Sequence, residues 1–196
     1  MISRIRFPGF SLFVLIACVI PGRASLLGTQ VTGSLLFQGH PLNYFDPVNG
    51  FVPTGYENAS GTTVKIAEPA IEFGAVFPAN TDIANFTPTQ LILTDIVNSS
   101  GNNVPFTISF VDTAFFGMAV SKVSDTFANG GTVASLTGDV LTVAWNGSSV
   151  NAGTLEAVYD FSSSAPEPSS FGLLVAGAVA LLWFVKPVLG KCPLKC

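Results

Sequence analysis

The chain has 196 residues, of which 48% are hydrophobic and only 10% are charged, whereas an average soluble domain has about 25% charged residues. Basic residues concentrate near the two ends, and residues 25–165 carry 11 acidic and two basic side chains, a net charge of −9. Because phosphate would be repelled by this charge, the composition argues against nucleic acid as a partner. The three cysteines also lie near the ends, so the middle segment is neither a disulfide scaffold nor a thiolate metal site.

The first 24 residues have the three parts of a secretory signal peptide. Two arginines precede an apolar run over residues 10–20, and small residues lead up to a cleavage site between Ala24 and Ser25. The run is shorter than the roughly 20 apolar residues of a spanning helix, although an N-terminal anchor helix is the alternative. The pattern predicts a signal helix, export through the Sec translocon and cleavage by signal peptidase.

Cys18 ends the stretch LIAC, which matches the pattern of a bacterial lipoprotein signal. Apolar residues continue past this cysteine, and a conventional cleavage site follows a few residues later. We therefore interpret Cys18 as part of the apolar run and keep lipidation as the alternative.

Residues 25–164 show β-type patterns throughout and no amphipathic helical pattern of useful length. Short runs rich in Val, Thr, Phe, Ile and Leu are separated by turn residues. These runs predict nine strands: Gln30–Phe37, Thr62–Ala67, Ala70–Val76, Gln90–Val97, Phe106–Val111, Phe116–Val123, Thr132–Leu136, Val140–Trp145 and Thr154–Phe161. Gly138 and Asp139 separate two of them, as in a type II′ hairpin, and residues 98–103 are expected to form a turn. The spacing predicts an all-β domain, an antiparallel β-sandwich, with segment 38–61 crossing between its sheets.

The C-terminal segment, residues 165–196, has three parts in order. Pro166, Glu167 and Pro168 precede fifteen uncharged residues, and this run predicts a transmembrane helix over residues 171–189. The third part is a basic tail with three lysines: Lys186, Lys191 and Lys195. Lysines after a span favour a cytoplasmic C-terminus, which agrees with export of the middle segment.

This order of PEPSS, FGLLVAGAVALLW and a basic tail resembles the PEP-CTERM sorting signal of bacterial surface proteins. The resemblance implies that exosortase recognises the Pro-Glu-Pro triplet and that the precursor is anchored transiently in the inner membrane of a Gram-negative bacterium. It also implies delivery to the cell surface or extracellular matrix, in association with exopolysaccharide. The tail carries lysines instead of the family's usual arginines, together with Cys192 and Cys196, and two thiols alone do not complete a four-ligand zinc site.

Few residues of the middle segment suggest catalysis or metal binding. His40 is the chain's single histidine, and no serine lies in a Gly-x-Ser-x-Gly motif, so we predict no enzyme activity and no cofactor. Asp125 and Asn129 could supply oxygen ligands to calcium, but Asx residues beside glycines usually form turns. No Asp-x-Asp-x-Asp loop occurs, so we interpret seven acids in or near predicted loops as structural: Asp46, Glu57, Asp82, Asp95, Asp112, Asp125 and Asp139.

Tyr44 and Tyr56 are candidate glycan contacts, because exposed aromatic rings beside polar groups suit sugar stacking. Both lie in the long polar segment 38–61, and loops on a rigid scaffold often carry function. The alternative is that the aromatic residues anchor this segment to the core.

Three functions follow from these features. The leading hypothesis is a non-enzymatic exported surface or matrix protein, sorted and processed by exosortase and associated with exopolysaccharide or biofilm. A carbohydrate-binding module for exopolysaccharide is the second. A secreted hydrolase that uses His40 is the third.

Overall fold

The computed structural model describes residues 25–163. The predicted signal peptide and sorting signal lie outside these residues, apart from Ser25, which is exposed at the start of the domain. The expectations for Cys18, Ala24, the triplet Pro166–Pro168, the span 171–189 and the tail lysines and cysteines therefore concern other parts of the chain. Within the described part, no helix has the length and apolar character needed to cross a membrane.

Residues 25–163 form twelve strands and two short 3₁₀ helices, Glu57–Ser60 and Thr113–Phe115. The strands are β1 (Gln30–Phe37), β2 (Thr63–Lys65), β3 (Phe73–Val76), β4 (Asn80–Phe86), β5 (Gln90–Val97), β6 (Gly101–Asn103), β7 (Phe106–Val111), β8 (Met118–Asp125), β9 (Val133–Thr137), β10 (Val140–Trp145), β11 (Ser148–Val150) and β12 (Gly153–Ser163). One five-stranded sheet has the order β2-β1-β7-β10-β9, and the other has the order β3-β4-β5-β12-β8. Strands β6 and β11 form a separate pair, and all ladders between these strands are antiparallel.

The two sheets share one hydrophobic core, which gives a β-sandwich-like, all-β architecture. Period-2 alternation turns every second side chain of a strand inward; in β12, for example, Ala157, Tyr159 and Phe161 are buried. Phe110 of β7 contacts rings of the opposite sheet, with centroid distances of 5.4 Å to Phe73 and 5.0 Å to Phe86. Aromatic packing therefore joins the sheets where disulfides are lacking.

Every predicted strand overlaps an observed one, and the all-β class is confirmed. The β9–β10 hairpin is confirmed as well: Gly138 has φ +64°, as the first position of a type II′ turn requires, and Thr137 pairs with Val140. Two expectations are wrong. The predicted turn over 98–103 contains β6, and the segment 38–61 begins and ends in the same sheet, because β1 and β2 are neighbours.

The segment 38–61 is fixed to both sheets by two asparagine side chains that imitate backbone groups. Asn43 Oδ1 accepts hydrogen bonds from the Leu35 and Phe45 amides, each at 3.0 Å, and its Nδ2 donates to Gly33 O at 3.2 Å. The Asn43 side chain thus continues the hydrogen bonding of β1 beyond the end of β2. Phe45 is fully buried in the core, so the anchoring interpretation is right for this residue.

Asn58 makes the matching connection to the second sheet. Its side chain is fully buried; Nδ2 donates to Phe45 O at 2.9 Å and to Gly74 O at 3.1 Å, while Oδ1 accepts from Gly74 N at 3.1 Å. Tyr56 lies over the same strand, since a Cβ on Gly74 would come within 2.1 Å of its ring. The long segment is therefore an ordered part of the domain.

Candidate functional site

A cavity of about 290 Å³ lies at one end of the two sheets. Strands β1, β5 and β10 end there, and β4 and β7 begin there, so strand ends from both sheets supply its lining. Its volume is at the low end of the ~300–1,000 Å³ that is typical of small-molecule sites. The lining combines polar groups from β4, β5 and β6 with aromatic rings from β1, β7, β10 and the loops.

Two aspartates and the asparagines beside them form the polar part of the cavity. Asp82 on β4 and Asp95 on β5 are register partners on neighbouring antiparallel strands, and they are 4% and 1% exposed. Asn80 Nδ2 donates to Asp82 Oδ2 at 3.2 Å and to Asp95 Oδ1 at 3.0 Å, and Asn103 Nδ2 donates to Asp95 Oδ2 at 3.0 Å. The Asn80 amide therefore occupies the space between the two carboxylates.

One acceptor atom of this group has no partner. Asp82 Oδ1 accepts no hydrogen bond from any residue in 25–163, although the other three oxygens of the pair accept one each. This oxygen is not completely enclosed by protein, and its residue lines the cavity. Since buried polar groups are normally hydrogen-bonded, Asp82 Oδ1 is available to a donor that enters the cavity.

The electrostatics of the pair are those of two desolvated acids that have no basic partner among residues 25–163. Burial raises the pKa of Asp82 well above its ordinary value, and the neighbouring Asp95 adds to this shift. Burial also raises the pKa of Asp95, against the lowering effect of the two asparagine amides. Within the described part of the chain, the one ion pair is Lys122–Asp125, and no lysine or arginine lines the cavity. Such perturbed, desolvated acids in a cleft are typical of functional sites.

A cluster of three aromatic rings lines one side of the cavity, and Phe106 and Trp145 of the core also reach its lining. Phe37, Tyr44 and Phe77 contact one another edge to face, with centroid distances of 5.2–5.4 Å. All three line the cavity and are half-buried, unlike the fully buried rings of the core. His40 is exposed and lies on the same lining. The cavity thus combines aromatic surface with carboxylate and amide groups.

The structure separates the two tyrosines that sequence reasoning grouped. Tyr44 lines the cavity. Tyr56 does not line it; this residue packs over Gly74 and forms an isolated β-bridge with Ile71. His40 has no serine or carboxylate hydrogen-bonded to its side chain among residues 25–163, so a Ser-His-Asp arrangement is not formed there.

The calcium candidates do not converge on one ion site. In residues 25–163 no three His, Cys, Asp or Glu side chains cluster as metal ligands would. Asp125 accepts hydrogen bonds from Lys122 Nζ at 2.8 Å and from Thr132 N at 2.6 Å, which ties down the loop after β8. Asn129 Nδ2 donates instead to Gly147 O at 3.1 Å.

The Asp82–Asp95 pair is the part of the site that sequence reasoning missed. Asp82 lies in β4, a strand that was not predicted, because NTDIANF has the polar composition of a loop. The available signal was alternation: Asp82, Ala84 and Phe86 occupy one face, and Asp95 shares a face with Leu91 and Leu93. An acid at a core-facing position of a strand indicates a polar opening in the core.

The arrangement of the pair suits recognition of a hydrogen-bond donor. The Asn80 amide donates a hydrogen bond to each of the two carboxylates. The free Asp82 oxygen and the aromatic rings remain accessible for binding. Neither family models nor curated proteins nor solved structures gave a match to this chain, so this interpretation depends on the site's own chemistry.

Proposed function

We propose that the chain is a non-enzymatic exported surface or matrix protein, delivered by a signal peptide and processed by exosortase at the Pro-Glu-Pro triplet. The support is the order of segments in the sequence: a signal-like start, a compact β domain of net charge −9, then Pro166–Pro168, an apolar run and lysines. The cysteine-free domain, held by an aromatic core, is compatible with an oxidising extracytoplasmic location, because it has no thiol to oxidise.

Fractionation of the full-length chain in a host that contains exosortase tests this function. The wild-type chain is expected to leave the inner membrane in a shortened form whose N-terminus is Ser25. Glu167→Gln is expected to retain the protein in the membrane at its larger size, whereas Glu156→Gln, at an exposed acid of β12, should behave like wild type. Release of Glu167→Gln at the wild-type rate and size would overturn the sorting proposal.

A second candidate function is carbohydrate binding by the described domain, and the cavity is the observation that favours it. Aromatic rings pack against the C–H faces of sugars, while carboxylates and amides accept and donate hydrogen bonds at hydroxyl groups. Both kinds of group line the same cavity. Tyr44 supplies an aromatic ring, and the polar groups belong to Asp82, Asp95 and Asn103. An exopolysaccharide made by the same cell is the ligand that fits the proposed location.

Sedimentation of the full-length chain, purified in a polyoxyethylene detergent, with the host's own exopolysaccharide tests this second function. Tyr44→Ala and, independently, His40→Ala should reduce the bound fraction. Phe51→Ala is the matched aromatic control, because Phe51 is 70% exposed and does not line the cavity. Equal binding by all four proteins would overturn the cavity as a glycan site. Shortening of the polysaccharide during incubation would indicate a hydrolase instead.

A further inference from the structure

The cavity holds two acidic side chains that no basic side chain of residues 25–163 neutralises. Asp82 and Asp95 have no lysine or arginine partner in this part of the chain, and their hydrogen-bond donors are the neutral amides of Asn80 and Asn103. The whole segment 25–165 has a net charge of −9. An anionic ligand, such as an acidic sugar, would be repelled by both the local and the overall charge. The ligand that compensates this site is a cation.

The size and lining of the cavity select an organic cation over a metal ion. A volume of about 290 Å³ far exceeds the ~30 Å³ that one water molecule occupies. Calcium requires six to eight oxygen ligands, and the carboxylates here are already bonded to amide N–H groups at three of their four oxygens. The rings of Phe37, Tyr44 and Phe77 would instead contact the carbon framework of a ligand, and aromatic faces also attract ammonium groups.

A primary ammonium group matches the free acceptor in this cavity. It carries three N–H donors and one positive charge, and Asp82 Oδ1 is an unpaired acceptor on a residue that is 4% exposed. A hydroxyl group could also donate to Asp82 Oδ1, but it would leave the charge of the pair uncompensated. Charge-assisted hydrogen bonds are roughly twice as strong as neutral ones.

We propose that this cavity binds an amino sugar, a hexosamine unit with a free protonated amino group, within a glycan chain. The ammonium group bonds to Asp82 Oδ1 beside Asp95, and the ring packs against the Phe37–Tyr44–Phe77 rings. This inference rests on the carbohydrate-binding function proposed above and names the class of sugar that this function requires.

Calorimetric titration of the full-length chain in polyoxyethylene detergent, in parallel at mildly acidic and at neutral pH, tests the inference. The probes are short glucosamine oligomers, their fully N-acetylated counterparts of equal length, and oligolysine of equal charge. Glucosamine oligomers are expected to bind at least about tenfold more tightly than either of the others. Asp82→Asn should lower their affinity at least about tenfold, since it removes one partner of a buried charged contact. Asp139→Asn, the same change in the exposed β9–β10 turn, should have no effect.

Three results would overturn the amino-sugar inference, and they differ in what they imply for the glycan function. Equal binding of the N-acetylated oligomers would leave the glycan function standing without the ammonium contact. Equal binding of oligolysine would show an amine site with no sugar recognition. Absence of binding to every oligomer would overturn the inference alone if the exopolysaccharide still sediments with the protein, and both proposals if it does not. Circular dichroism establishes whether the Asp82→Asn variant is folded. If it is not folded, Tyr44→Ala replaces it in the titration, because that variant is also expected to bind glucosamine oligomers less tightly.

Discussion

Asp82 on β4 lies opposite Asp95 on β5, and a single amide group, that of Asn80, donates hydrogen bonds to both carboxylates. Two acids placed together at the end of a hydrophobic core oppose folding at neutral pH, because each is desolvated and the charge of Asp95 disfavours ionisation of Asp82. A costly arrangement of this kind is typical of a site that is kept for function.

The first prediction concerns the pH dependence of stability. An acid whose pKa is raised by folding binds protons more readily in the native state, so its penalty is absent at low pH and grows as pH rises from about 4, the value of free Asp, through the folded-state pKa. Asp82→Asn is therefore expected to increase the free energy of unfolding by on the order of 1 kcal/mol at neutral pH. The gain should disappear near pH 4. Urea denaturation of both proteins at several pH values measures it.

Other acids also make the free energy of unfolding depend on pH. Burial raises the pKa of Glu72, which adds a dependence of the same sign. Burial would raise the pKa of Asp125 too, but hydrogen bonds from Lys122, Phe127 and Thr132 lower it overall, so its contribution to stability is lost as pH falls. Glu72 and Asp125 contribute equally to the stability of wild type and of Asp82→Asn, so their contributions cancel in the difference between the two free energies of unfolding. A stability difference that stays constant from neutral pH to pH 4 would contradict a buried charge at Asp82.

A second prediction concerns the attachment of segment 38–61. Asn58→Ala removes three buried hydrogen bonds and leaves the Phe45 and Gly74 backbone groups without side-chain partners. We expect a loss of about 2–3 kcal/mol in the free energy of unfolding, together with faster hydrogen exchange of the segment. Asn151→Ala, at an exposed asparagine, is the control. Equal stability of the two variants would show that Asn58 does not hold the segment.

A third prediction concerns the contact between the sheets at Gly33. A Cβ at this position would come within 2.4 Å of the Phe73 ring, whereas a Cβ at Gly101, also in a strand, would meet nothing within 4 Å. Gly33→Ala is therefore expected to destabilise the domain by about 1–3 kcal/mol through overpacking, and Gly101→Ala should have little effect. Thermal unfolding compares the two. A Gly33→Ala variant as stable as Gly101→Ala would contradict the close approach of β1 and β3.

Sequence patterns predicted most of the fold because most strands alternate clearly and are separated by turn residues. The limits of β1, β5, β7 and β10 agree residue for residue with the prediction. The prediction missed a strand where a polar side chain occupies a position that faces the core. Strand β4 carries Asp82 at a core-facing position, so its pattern resembles a loop.

The candidate site was predictable only in part, for a related reason. Tyr44 was identified from composition, but the grouping of Asp82 with Asp95 depends on pairing between β4 and β5, which no local pattern encodes. The same applies to Asn43 and Asn58, whose amide groups replace backbone partners in the tertiary structure. Single-sequence reasoning reads these residues as turn formers, because that is the commoner role of asparagine.

The most direct test of the account is a ¹³C NMR titration of the aspartate carboxyl groups in the full-length chain, with and without glucosamine oligomers. Without ligand, the pKa values of Asp82 and Asp95 are expected to lie above the ordinary value for aspartate, because both side chains are desolvated. Saturating oligomer should lower the values for the pair, because a bound ammonium group favours the ionised forms, and should leave the signal of Asp139 unchanged. Titration of Asp82 and Asp95 at the same pH with and without oligomer would contradict an ammonium group bound at this cavity.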